Sequence, residues 1–564
     1  MATKSKAPYL QRAGKSWELI VDGHPYLILG AELQNSSMSS SRYMEDVWPN
    51  LVKMGINTVL GPVTWEDIEP QEGTFDFSRL DAAMEGARSH NLRLVLLWFG
   101  SFKNGRSSYA PKWVKKDQKR FPRMYVHGTD GKLENSGVLS VFHRECYEAD
   151  AKAFSKLMEH FSHMDDRHTV LMMQVENEVG LHRDSRDRST IANSAFDSAV
   201  PNSLIELLHN EWHHLHPDLK SNFPNFQQTY KRLTTEGGAH SWRDWFGESI
   251  YTDELFMSYH YANYLEKVSS AGRREYDIPL YTNVWLAEPG EPGSAAGGDK
   301  PGVYPSGGGV SQVLDIWQKF APTLDFIAPD NYQTYYETAC ANYTHRGQPL
   351  FIPEQRRNDF GARTVWSAIG TFRALGACPF GIDTQTPEEA PIASHYGLLG
   401  SVSQHILNAR RNDLSMVGFC FHDFAKDGTD PSPPFTSTMK EYNLRISRAF
   451  VLGKEAPGYG IIIELEPDKF LLVGKGFKVE WSSKSPKHSY TEIIAFEEKA
   501  PAGDQAQSLE TNRILNGDES GSGSFANMPN DDPDHGDAFV PIIIPARTGI
   551  AEVTVHSLSN ELGQ

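Results

Sequence analysis

The amino-acid sequence predicts a (β/α)8 barrel followed by a smaller β-rich domain. Three observations carry this. Short apolar runs alternate with amphipathic helical stretches from about residue 26 to 440. The runs number eight and lack polar alternation. Beyond about residue 445 the text changes to strand-like segments separated by turns.

The apolar runs are Tyr26–Ala31, Thr58–Val63, Leu92–Trp98, Thr169–Val175, Leu280–Trp285, Asp325–Pro329, Leu350–Pro353 and Cys378–Ile382. Runs of this kind suit parallel strands buried on both faces. Helical patterns lie between them, at Met44–Met54, Leu80–Ser89, Tyr147–Phe161, Val310–Phe320 and Thr364–Leu375. Eight β-then-α units favour a closed barrel over an open sheet. A doubly wound sheet would carry a glycine-rich phosphate turn after its first strand, and Gly30-Ala-Glu-Leu-Gln34 is not one.

Two insertions follow strands and therefore belong to the face where barrels build their sites. One, with helices near Leu204–His214 and Leu255–Val268, separates strands four and five. The other, Ala287–Gly309, is rich in glycine and proline, so it is expected to be a mobile lid or a plain surface loop. In the second domain, Gly460-Ile-Ile-Ile-Glu-Leu, Lys469-Phe-Leu-Leu-Val-Gly, Phe477-Lys-Val-Glu-Trp, Val540-Pro-Ile-Ile-Ile and Ile550–Val555 read as strands. Leu515–Asp537 reads as a long loop, and the expected division is 1–445 for the barrel and 446–564 for a sandwich-like accessory domain.

Composition narrows the partners. The 564 residues carry a formal net charge of −18, which argues against nucleic acid and anionic membrane. The balance of 39% hydrophobic and 22% charged residues is that of a soluble globular protein. Four scattered cysteines, Cys146, Cys340, Cys378 and Cys420, give no disulfide framework and no zinc spacing. Asp531-Asp-Pro-Asp-His-Gly-Asp537 lacks the spacing of an EF-hand and reads as a solvated acidic turn. No metal and no cofactor are expected. No apolar leader follows Met1, so a cytoplasmic location is expected, and the glycosylation patterns at Asn35 and Asn342 are taken as incidental. The oligomeric state is left open, a homo-oligomer being compatible with all of this.

The chemistry lies at two strand ends. Strand four closes on Gln174-Val-Glu-Asn-Glu-Val-Gly180, and alternation places Gln174, Glu176 and Glu178 on one side, with Glu178 nearest the mouth. Strand seven closes on Leu350-Phe-Ile-Pro-Glu354-Gln355. Unpaired carboxylates are costly inside a barrel. A pair at the mouth is what glycoside hydrolysis needs: one protonates the leaving oxygen, and the other attacks the anomeric carbon or activates water. A separation of roughly 5–5.5 Å gives retention and a wider one inversion.

Glu176-Asn-Glu-Val-Gly180 resembles the Glu-Asn-Glu-Tyr-Gly motif of glycoside hydrolase family 35, the β-galactosidases. Gly30-Ala-Glu-Leu and Trp65-Glu-Asp-Ile-Glu-Pro-Gln-Glu-Gly-Thr-Phe-Asp-Phe77 are similar to segments of that family. The latter also occurs in family 42, and Glu354-Gln355 resembles family 42 as well. The likeness spans roughly residues 20–440, and the C-terminal domain resembles one appended to a branch of family 35. It implies a retaining exo-β-galactosidase with Glu178 as acid/base, Glu354 as nucleophile and Asn177 on the sugar 2-hydroxyl. Glu32 would accept from a galactose hydroxyl or join a core ion pair. Trp98, Trp285 and Tyr332 end strands three, five and six and are candidates for sugar-facing walls or for packing. One departure stands out: family 35 carries Cys-Ala-Glu-Trp after strand three, where this chain has Leu97-Trp-Phe-Gly-Ser-Phe-Lys-Asn-Gly105. The alternatives are a β-glycosidase for another sugar, such as a glucoside, fucoside or arabinopyranoside, and a catalytically silent carbohydrate-binding protein.

Overall fold

The computed structural model describes residues 6–288, 297–451, 454–455, 457–502, 508–528, 544 and 546–559. All eight apolar runs contribute a strand. They are β1 (Gly30–Glu32), β2 (Thr58–Thr64), β3 (Arg93–Lys103), β4 (Val170–Asn177), β5 (Leu280–Trp285), β6 (Phe326–Asp330), β7 (Ile352–Gln355) and β8 (Ala377–Pro379). Strands β1 to β6 form one parallel sheet, and β7 pairs with β8 in a second. Parallel bridges Asn331–Gln355 and Glu32–Phe380 join the two, so the eight strands follow one another around a closed ring.

Alternation along the strands sorts the side chains. Leu60, Val95, Leu97, Phe99, Tyr281, Phe326, Ala328, Phe351 and Cys378 form one fully buried cluster, in which Leu19 and Val21 also take part. Those two belong to an N-terminal antiparallel sheet of Tyr9–Ala13, Ser16–Val21 and His24–Tyr26. Residues of the opposite parity, such as Leu94, Leu96 and Trp98, pack against the surrounding helices.

The helices lie where periodicity places them: Ser41–Lys53, Ser78–Ser89, Arg144–Met164, Leu314–Phe320 and Asp359–Gly370. Ser40 and Asn358 accept a backbone N–H of the first turn in two of them, which defines where those helices begin. The insertion after β4 folds into further helices, and the longest, Ile250–Arg273, packs along Arg144–Met164. Among the described residues no helix is long and apolar enough to cross a membrane.

The C-terminal part holds an antiparallel sheet of six strands, one of four, and a two-stranded pairing of Phe450–Val451 with Lys454–Glu455. Phe419, Phe421, Leu444, Ile462, Phe470, Phe477, Val479 and Trp481 fill the core the two larger sheets share. Its first strand, Met416–Cys420, precedes residue 446 and pairs with Tyr459–Glu466. Four of the five expected runs are strands there; Val540 and the acidic turn at 531–537 lie outside the described residues. Within the expected loop after Leu515, Ala526–Met528 forms a short strand.

Candidate active site

The last residues of β4 leave the extended conformation. Glu176 and Glu178 have φ of 61° and 42°, in the left-handed region that costs a residue with a Cβ on the order of 1 kcal/mol or more. The turn breaks the expected alternation. Glu176 faces away from the mouth, where the backbone N–H groups of Ser101 and Phe102 donate to its two carboxyl oxygens at 3.0 and 2.6 Å. Gly100 makes room for this arrangement, since a Cβ there would meet Glu176 Oε1 at 2.7 Å and Asp150 Oδ1 at 2.6 Å. Asn177 and Glu178 are thereby left to serve the mouth.

Glu178 is hydrogen-bonded from two strands. Its N–H donates to Asn283 Oδ1 at 2.9 Å, from β5. Asn104, just past β3, donates through Nδ2 to Glu178 Oε2. Oxygens of Glu178, Asp330 and Glu354 lie within 4.8 Å of one another. Burial, then the charge of Glu354, raises the Glu178 carboxyl to about 7, with Lys103, Asp330 and Asn104 pulling the other way.

Glu354 ends β7 and receives the Tyr332 hydroxyl on Oε2 at 2.7 Å. Burial and the Glu354 charge push the Tyr332 phenol well above its usual range, so it remains a donor. Among the described residues, Glu354 Oε1 has only Asn283 Nδ2 at 3.5 Å, which leaves it the less engaged oxygen. Asn283 also donates to Asp330 Oδ2 at 2.7 Å.

Two partly open polar groups complete the mouth. Glu32, at the end of β1, is fully buried, and neither carboxyl oxygen has a hydrogen-bond partner among the described residues. Burial and the charges of Glu354 and Glu178 raise its carboxyl well above the usual range, against the pull of Lys103. The Asn177 Oδ1 atom accepts from Lys103 Nζ at 2.9 Å, whereas its buried Nδ2 has no partner among the described residues. Buried groups left unpartnered by the protein in this way call for another partner, such as a water or a ligand's hydroxyl. By spacing, the Glu178–Asp330–Glu354 trio could also hold a cation, although a neutral donor already engages each carboxyl.

The sequence-derived residues fare unevenly. Glu178, Glu354, Glu32, Asn177 and Tyr332 come together at the mouth. Trp98 does not: its parity on β3 turns it outward, where it packs beside Phe154 and donates to Asp150 Oδ1 at 2.9 Å. Trp285 ends β5 edge-on to His182 and donates to Gly297 O at 2.7 Å, so its indole N–H is already engaged. The segment expected to be a lid or a surface loop is described only in part. Residues 289–296 lie outside the described residues, whereas Leu181 and Ser306 exchange two backbone hydrogen bonds at 2.9 Å, and Arg183 N–H donates to Gly302 O at 2.8 Å. Gly180 permits this close docking, because a Cβ there would lie 2.5 Å from the Pro305 backbone. Lys103, Asn104, Asn283 and Asp330 were not singled out from sequence, although each is a polar residue at or near a strand end.

Comparison with known proteins follows this geometry. Residues 37–233 match the family model described as Beta-galactosidase, that of glycoside hydrolase family 42. The match includes Asn177 and Glu178 and ends before Glu354. Residues 392–527 match a domain of unknown function, DUF5597. No curated protein matches the chain. Among solved structures, the catalytic domain of β-amylase from Paenibacillus polymyxa is 11% identical with a TM-score of 0.45, the alignment covering 65% of this chain and 96% of that one. The β-galactosidase from the psychrophilic Marinomonas ef1 is 15% identical, with a TM-score of 0.43 and coverage of 68% and 60%. That from Bacillus circulans sp. alkalophilus is 17% identical, with a TM-score of 0.44 and coverage of 68% and 57%. The chain thus spans less than two thirds of the length of these two β-galactosidases. The family match bears out the expected enzyme class, a glycoside hydrolase. It falls to family 42, so the expected membership of family 35 is not supported, whereas the likeness to family 42 is.

Proposed function

We propose that the chain is a retaining exo-β-galactosidase that works by double displacement, with Glu178 as acid/base and Glu354 as nucleophile. The observation that carries this reading is the proximity of the two carboxyl groups, whose oxygens lie within 4.8 Å. That spacing favours direct attack on the anomeric carbon over a gap wide enough for water, which needs roughly 6.5 Å or more.

The two groups differ as the mechanism requires. Glu178, raised to about 7, holds a proton for the leaving oxygen at mildly acidic pH. Glu354 attacks through its less engaged Oε1 while the Tyr332 hydroxyl fixes Oε2. The resulting glycosyl ester is opened by water, whose proton returns to Glu178. Asn177 Nδ2 donates to the sugar 2-hydroxyl, a bond that strengthens as oxocarbenium character develops. Glu32 supplies unpartnered oxygens to a further hydroxyl.

A second reading, a β-glycosidase for another sugar, is favoured by one feature. Lys103 and Asn104 stand in the segment where family 35 has its Ala and Glu, so the sugar meets a different wall. A panel of nitrophenyl glycosides followed by NMR at early times tests both. The β-galactoside should be cleaved fastest, with the β-anomer appearing first. Preference for a glucoside, fucoside or arabinopyranoside would favour the second reading, and an initial α-anomer would refute retention.

A further inference from the structure

We infer that Asp330 is a positioning residue that keeps its own proton throughout turnover and offers it as a hydrogen bond to the Glu178 carboxyl. The inference rests on the acid/base reading of Glu178.

Asp330 ends β6 and is only 2% exposed. Its Oδ2 accepts from Asn283 Nδ2 at 2.7 Å, while Oδ1 is buried without a donor among the described residues. Together with Glu178 and Glu354 it forms the trio whose oxygens lie within 4.8 Å of one another. The groups that face Glu178 are Glu354 from β7, Asp330 from β6, Asn283 from β5, Glu32 from β1, and Lys103 and Asn104 from the end of β3. Four carboxyl groups therefore share one buried mouth with the ammonium of Lys103, which is itself bonded to Asn177. Four negative charges cannot be kept there at tolerable cost. Glu354 needs its charge to attack, and among the described residues no cationic side chain pairs with Asp330 to justify one. Burial, followed by the charges of Glu354 and Glu178, holds the Asp330 carboxyl well above the usual range.

A carboxyl group kept neutral in this way is a hydrogen-bond donor. During glycosylation the Glu178 proton moves to the departing glycosidic oxygen. The carboxylate left behind accepts hydrogen bonds from the Asp330 hydroxyl and from Asn104 Nδ2. During deglycosylation a proton of the attacking water returns to Glu178. The Asp330 proton is transferred in neither step; it stabilises the charge that appears on Glu178 and disappears again.

The sign of one shift separates a neutral Asp330 from an ionised one. Removing a negative charge would lower the Glu178 pKa, whereas removing a donor raises it. Two variants of the full chain serve: Asp330→Leu, which has no donor, and Asp330→Asn, whose amide can still donate to Glu178 while its oxygen accepts from Asn283. Infrared spectra of the resting protein, recorded one to two pH units above the Glu178 value of about 7, should show a protonated-carboxyl band in the wild type that Asp330→Asn lacks. That readout uses no substrate, so it stands or falls apart from the glycosidase reading and survives if Asp330→Leu fails to fold. In the pH dependence of kcat/KM, Asp330→Leu should displace the alkaline limb upward by about half a pH unit or more. Asp330→Asn should leave it closer to the wild-type position. Absence of the band difference overturns the inference, as does an alkaline limb that stays in place or moves downward in Asp330→Leu.

Discussion

Lys103 Nζ lies 2.9 Å from Asn177 Oδ1, and this contact fixes which end of the amide is left for a ligand. An unconstrained amide can present either its oxygen or its nitrogen. With the oxygen tied to the ammonium, Nδ2 becomes the donor, buried and without a partner among the described residues.

Lys103→Met keeps the aliphatic stem and removes the ammonium. We expect kcat/KM for an aryl β-galactoside to fall by roughly 10²-fold, the scale of losing one oriented donor in a transition state. The penalty for a 2-deoxy substrate should shrink in the variant, because the interaction it probes is already weakened. Kinetics of both substrates on both enzymes check this. An unchanged 2-deoxy penalty would separate Lys103 from the 2-hydroxyl.

The two glutamates should respond differently to truncation. Glu354→Ala removes the group that forms the glycosyl ester and should abolish turnover of all substrates. Glu178→Ala should spare the first step for aryl glycosides with good leaving groups, and azide should rescue its second step. Rescue of Glu354→Ala by azide with retention would exchange the roles.

Activity should fall as pH rises through about 7, where Glu178 loses the proton it donates. The direction follows from burial and the neighbouring Glu354, both of which favour the neutral acid. A pH profile of kcat/KM, measured where chemistry limits the rate, checks it. A plateau continuing well into the alkaline range contradicts it.

Much of this was readable in the sequence, for identifiable reasons. Buried parallel strands leave continuous apolar runs, which is why eight runs foretold eight strands. A carboxylate directly after such a run is conspicuous, and so Glu178 and Glu354 stood out. Trp98 was left between wall and packing because the run alone does not say which parity faces inward; Val95, Leu97 and Phe99 take the interior and leave Trp98 to the helices. Alternation put Glu176 on the side of Glu178, and the structure does not, because alternation fails at a left-handed residue. Asn283 and Asp330 carry no motif, and their importance arises only when β5, β6 and β7 are brought side by side.

A buried acid away from the mouth offers a stability test. Glu254, on the long helix Ile250–Arg273, accepts from Gln312 Nε2 at 2.6 Å, and burial raises it from 4.5 to about 8. The folded state then binds more protons than the unfolded one between those values, so stability is lost as pH rises through that window. Each unit contributes on the order of 1 kcal/mol at most. Glu254→Gln should flatten this slope in urea unfolding measured across the window. An equal slope in both proteins would show that Glu254 is ionised in the fold.

Mass spectrometry of the enzyme inactivated by a 2-deoxy-2-fluoro-β-galactosyl fluoride tests the central claim most directly. The fluorine slows both steps by destabilising the oxocarbenium-like transition state, and the fluoride leaving group restores the first, so the glycosyl ester accumulates. The adduct should lie on the peptide containing Glu354, and Glu354→Gln should form none. Turnover of galactosides with no adduct, or an adduct on Glu178, would contradict the assignment.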